Sequence, residues 1–159
     1  MAVENKVAVG ATAADPILAH GMGGDVKGFS RTVEVSAAAS ATSTYTLGYV
    51  PANARILGVS KASWDDLAST GSPTLDLGLF PVDNNVTGDD DALNDGLVVT
   101  AAGSASLVKD IANYGKKAWQ FVNGQATEPK GFLRLVATIK DADTDTGGTL
   151  AVEVFYVLP

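Results

Sequence analysis

An all-β fold, an antiparallel β-sandwich or jelly roll of about eight strands with one short helix, is what this sequence predicts. Three observations predict it. In two stretches near the C-terminus, Gly131–Lys140 and Thr149–Val157, one apolar set recurs at every second residue, the mark of strands with one buried face. Shorter stretches of the same kind recur along the chain, separated by clusters of Gly, Pro, Asp, Asn and Ser that favour turns. There is no sustained helix–strand alternation and no repeat at solenoid or propeller spacing.

Residues 1–28 begin with a short strand candidate, Lys6–Gly10, and continue through Gly- and Ala-rich sequence to Gly21-Met-Gly-Gly24. With so little periodicity they predict an extended N-terminal arm, ordered against a neighbouring subunit, outside a sandwich domain spanning 29–159. Phe29–Ser36 is the first strand, with Phe29, Val33 and Val35 on one face. The small residues Ala37–Ser43 form a loop, Thr44–Tyr49 a short strand and Val50–Asn53 a turn. Ala54–Trp64 reads as one long strand, in which Gly58 marks a bulge or the close approach of another backbone.

Asp65–Pro73 is a loop, and Thr74–Phe80 restores strict alternation with Leu75, Leu77 and Leu79 inward. Pro81–Asp91 is acidic and turn-rich, Asp91–Gly96 has the form of one helical turn stopped by its glycine, and Leu97–Thr100 is a strand candidate. Between 104 and 123 a helical period competes: Leu107, Ile111, Tyr114, Ala118 and Val122 fall near one helical face. Gly115 interrupts it, which places the short helix at Lys116–Val122 and leaves Leu107–Ile111 open between helix and strand; Asn123-Gly124 closes the helix. Glu128–Gly131 turns the chain into its final pair of strands. The connection Asp141–Gly148 consists of turn formers, so the pair reads as an antiparallel hairpin with Leu133, Leu135, Ala137 and Ile139 on one inner face and Leu150, Val152, Val154 and Tyr156 on the other.

Composition limits the function. Eighteen acidic residues against eleven basic ones give a net charge of −7; such a surface repels phosphate and argues against a nucleic-acid partner. No cysteine is present, which removes disulfides and thiolate metal sites. No window approaches 18 consecutive apolar residues, so no membrane span is expected. The N-terminus lacks the basic and apolar regions of a signal peptide, so synthesis in the cytoplasm is expected.

Candidate chemistry is sparse. Asp141, Asp143 and Asp145 have the 1-3-5 spacing of a calcium loop, but Thr146 and Val152 stand where an EF-hand needs Gly and Glu. A looser calcium site at this tip competes with a plain soluble turn. Gly88-Asp-Asp-Asp91 is a second acidic loop. Gly21–Gly24 and Gly115-Lys-Lys117 lack the context of a phosphate loop. The single histidine, His20, lies in the arm without a nucleophile assigned to it. Trp64 and Trp119 offer stacking surfaces for a ligand or anchors for a core. No catalytic, cofactor or metal residue is assigned, and no enzyme activity is expected.

Several stretches, in order, carry a resemblance: Val50–Val59 leading to Trp64-Asp-Asp-Leu67, Thr74–Phe80 before Asp90–Gly96, and Tyr114-Gly-Lys-Lys-Ala-Trp119 leading through Glu128–Gly131 to the final strands and Gly147-Gly148. From about residue 29 to the end the chain resembles small virion structural proteins of tailed bacteriophages, of the kind that decorate or cement the capsid. The resemblance implies a β-sandwich subunit on the outer surface of the head, a trimer at local three-fold positions, with the major capsid protein as partner. The alternative is a receptor- or glycan-binding domain of a tail fibre or adhesin.

Overall fold

A computed structural model describes residues 3–7, 25–82, 88–122 and 125–159. Its strands are β1 (Asn5–Val7), β2 (Lys27–Val35), β3 (Thr44–Pro51), β4 (Arg55–Ile56), β5 (Lys61–Trp64), β6 (Thr74–Pro81), β7 (Asp89–Val98), β8 (Gly103–Ser106), β9 (Phe132–Lys140) and β10 (Gly148–Val157). They form two sheets, ordered β1-β3-β9-β6-β7 and β2-β10-β5-β8, with β4 also paired to β10. All pairings are antiparallel except β1 with β3. This is the expected all-β sandwich.

The inward faces are those that the alternation marks. Leu133, Leu135, Ala137 and Ile139 of β9 and Leu75, Leu77 and Leu79 of β6 are fully buried, and Leu150, Val152, Val154 and Tyr156 of β10 nearly so. With Val33, Val35, Tyr45, Leu47 and Val50 they make one core between the sheets. Each large side chain so buried contributes roughly 1.5–3 kcal/mol of transfer free energy.

The final two strands, however, do not form a hairpin. β9 lies between β3 and β6 in one sheet, and β10 between β2 and β5 in the other. Residues 141–147 carry the chain across the sandwich from the end of one sheet to the start of the next. An alternating strand requires cover on one face, and the facing sheet supplies it whichever strands lie beside it in its own sheet.

Four further expectations are corrected. Ala54–Trp64 is two strands, not one, because a turn at Leu57–Ser60 separates β4 from β5, closed by the Ser60 amide on the Leu57 carbonyl at 3.0 Å. Gly58 is approached by the Tyr114 ring, not by backbone: a Cβ there would lie 2.8 Å from it. Asp91–Gly96 is not helical but belongs to β7, whose backbone pairs with β6 at the sheet edge; Leu97-Val98 completes that strand. The helix at Lys116–Val122 shrinks to a 3-10 turn, Ala118–Phe121, after another at Ile111–Asn113. Gly115, at φ +86°, breaks the continuity. The Ala118 and Trp119 amides bond to the Ala54 and Ala52 carbonyls at 2.7 and 3.1 Å, so they are not free for a longer helix.

The strand candidate Lys6–Gly10 overlaps β1 at Lys6 and Val7, and the arm boundary at residue 28 falls inside β2. Residues 8–24, including His20 and Gly21–Gly24, lie outside the described residues, as does Asn123-Gly124.

Candidate functional site

The strands place two sets of loops at opposite ends of the sandwich. One end holds loops 36–43, 65–73, 99–102 and the crossover 141–147. These carry five aspartates and no basic residue.

Asp141, Asp143 and Asp145 are all here, but their carboxylates diverge. Asp141, at φ +64°, accepts from the Thr74 hydroxyl at 2.5 Å. Asp143 accepts from the Ala41 amide at 2.7 Å. Asp145 accepts from the Ser69 and Thr70 amides at 2.6 and 2.8 Å and from both hydroxyls. These bonds, the Thr70 hydroxyl and Ser69 amide foremost, favour the ionised form and hold Asp145 at about 2. Each aspartate ties the crossover to a different part of the fold, so the 1-3-5 spacing builds clamps, not a convergent cage.

Between the clamps Thr144 is completely buried. Its hydroxyl donates to the Ser36 carbonyl at 2.9 Å and accepts from the Ala39 amide at 3.1 Å. Nearby, Glu4 accepts from the Ser36 hydroxyl at 2.7 Å and the buried Tyr45 hydroxyl at 2.8 Å, seating the segment that leads into β1. Burial first, then the Glu4 carboxylate, pushes the Tyr45 phenol far up.

The second acidic stretch lies along edge strand β7. Carboxylate oxygens of Asp89, Asp90 and Asp91 lie within 4.8 Å of one another. The hydrogen bond with Asp89, then partial burial and the neighbouring charges, raises Asp91 to about 6. The Lys140 ammonium, 2.5 Å from Asp90 and 3.9 Å from the largely buried Asp76, offsets part of the repulsion. Its own pKa rises, chiefly through the Asp90 bond. Charges on an exposed edge also discourage pairing with a foreign strand.

Neither tryptophan is a surface platform. Trp64 is buried, with its indole N–H donating to the Ala101 carbonyl at 3.1 Å. Trp119 packs partly buried against the core, with its indole nitrogen out of water. In Gly115-Lys-Lys117, Lys116 donates to Asn113 at 2.6 Å and Lys117 to Glu128 at 2.8 Å.

The opposite end has a different chemistry. Its described loop residues, 25–26, 52–60, 107–122 and 125–131, carry Arg55, Lys109, Lys116, Lys117 and Lys130 against Asp25, Asp110 and Glu128. Of the nine large apolar side chains exposed among the described residues, seven sit at or beside this end: Val26, Val59, Val82, Ile111, Tyr114, Phe132 and Phe155. Ile111 and Tyr114, which the helical period would have placed on a core-facing stripe with Leu107, are 76% and 44% exposed, while Leu107 is buried. The readable signal was Asp110 before and Gly115 after: a cap and a breaker that leave room for one short turn.

No protein-family model matches this sequence, and no curated protein does. Solved structures do match in fold. One is a chain in the capsid of Ralstonia phage GP4, with a TM-score of 0.65 and 22% identity over 87% of each chain. Another is a chain of the cyanophage Pam1 capsid asymmetric unit, with a TM-score of 0.57 and 21% identity over 94% of this chain and 98% of that one. The sandwich described above is thus a fold found in chains of two phage capsids.

Proposed function

We propose that this chain is a capsid decoration (cement) protein of a tailed bacteriophage. It binds the outer surface of the assembled head as a trimer and stabilises contacts between major capsid subunits, with no catalytic role. The supporting observation is the likeness in fold to chains of two phage capsids, which extends over nearly all of this chain and of each of those chains. The acidic composition suits an outward position better than one against packaged DNA. Many copies with several modest contacts each would add through effective concentration, and a cyclic trimer would touch three shell subunits equivalently.

The glycan-binding alternative loses the two tryptophans that the sequence offered it as stacking surfaces, since Trp64 is buried and Trp119 lies partly buried against the core. Quantitative mass spectrometry of purified virions tests the proposal. On the order of hundreds of copies per particle are expected; fewer than about a dozen would point to a tail ring and reject it.

A further inference from the structure

We infer that the end bearing the Ile111–Asn113 turn is the face that docks, with Ile111 and Tyr114 as its apolar anchor and lysines as its rim. The inference rests on the decoration reading and names the surface it would use. The partner it fits is a shell surface with an apolar socket edged by carboxylates.

The turn is built to hold exposed side chains still. Asp110 caps it, accepting from the Ala112 amide at 2.9 Å. The Asn113, Tyr114 and Lys116 amides bond back to the Asp110, Ile111 and Asn113 carbonyls at 3.0–3.1 Å. Tyr114 lies over Gly58, where any side chain would collide with its ring, and Val59 beside it is 63% exposed. Nothing in the core uses Ile111 or Val59. A rigid turn presenting an aliphatic and an aromatic side chain loses little entropy on binding, and such anchors dominate interface energetics when a pocket receives them.

Charge selects the partner. Lys109, Lys116 and Lys117 flank the anchor in sequence, and Arg55 pairs with Lys117 across an isolated bridge. Asp110 is engaged as the cap, and the exposed pairs Lys109–Asp95 and Lys117–Glu128 are weak enough to be exchanged for a partner's carboxylates. A cationic rim on a molecule of net charge −7 steers this end toward acidic groups and turns the other away. A second copy is the poorer fit: whole molecules repel, and joining this end to another copy's aspartate-rich end is head-to-tail and continues unless it closes into a ring.

The test is co-sedimentation of the full chain with assembled heads that lack it. The double variant Ile111→Ala/Tyr114→Ala is expected to bind at least about tenfold more weakly, with a melting temperature within about 2 °C of the parent. Lys116→Glu is expected to weaken binding most at low salt, and Val98→Ala, exposed at the far end, to leave it unchanged. Equal binding by parent and double variant would overturn the inference and spare the decoration reading. Absence of binding by the parent would overturn the decoration reading itself. Loss of a solution oligomer in the double variant, seen by light scattering, would show a copy–copy interface and also overturn the inference.

Discussion

The two ends of the sandwich use similar short loops to opposite purposes. At the crossover end polar side chains turn back on the fold's own loops: Asp143, the buried Thr144 and the exposed Asp145 each hydrogen-bond a neighbouring loop. At the other end apolar side chains turn outward, and Ile111, Val59 and Tyr114 stand exposed on or beside short turns closed by their own backbone hydrogen bonds. The first arrangement stabilises the fold, whereas the second contributes little to it. Acidic residues therefore mark the structural end here, and the end with exposed apolar groups is the one available for a partner.

That contrast is open to attack by mutation. The largest effect on stability is expected from Thr144→Val at the crossover end. It keeps the shape but removes the hydroxyl that joins the Ser36 carbonyl and Ala39 amide, leaving them only their own 3.3 Å bond, costing about 2 kcal/mol and lowering the melting temperature by about 4–8 °C, with head binding intact. Thr144→Ser should recover most of the loss. Gly58→Ala at the other end should cost less, on the order of 1 kcal/mol, because the atom it meets belongs to a half-exposed ring able to swing away. It should nonetheless weaken docking, detectable as altered Tyr114 ring resonances and reduced co-sedimentation.

Smaller effects depend on pH. Asp145, held at about 2, lies below its unfolded value near 3.9, so its stabilisation is complete above about pH 4 and is lost as pH falls toward 2. Asp145→Asn should therefore lower the melting temperature at pH 7, and the gap from the parent should narrow on acidification below about pH 4. Asp91 has the opposite sign. Raised to about 6, it favours the fold while protonated and loses that advantage as pH rises through 6. Asp91→Asn should raise the melting temperature by about 1 °C at pH 7.5 and by nothing measurable at pH 4, a small effect because the group is largely exposed.

The core-facing residues of β6, β9 and β10 were legible because burial on one face leaves a period of two. Their pairing was not. An Asp-rich connection of seven residues serves a hairpin or a crossing between sheets equally well, and what decides it is the set of contacts Thr144 and its neighbours make with distant loops. β8, Gly103–Ser106, carries no large apolar residue and so no periodic signal. β7 is rich in aspartate, and its strand conformation comes from pairing with β6, which local propensity does not encode. The candidate site was hidden for a related reason. Ile111 and Tyr114 match a helical stripe with Leu107, and only Gly115 and the competing carbonyls of Ala52 and Ala54 take them off it.

A cryo-EM map of decorated heads, at a resolution that shows side chains, tests the central claim most directly. The Ile111–Tyr114 turn and its lysines are expected against the shell protein, with loops 65–73 and 141–147 in solvent. Density placing those aspartate-rich loops on the shell and the turn in solvent would contradict it.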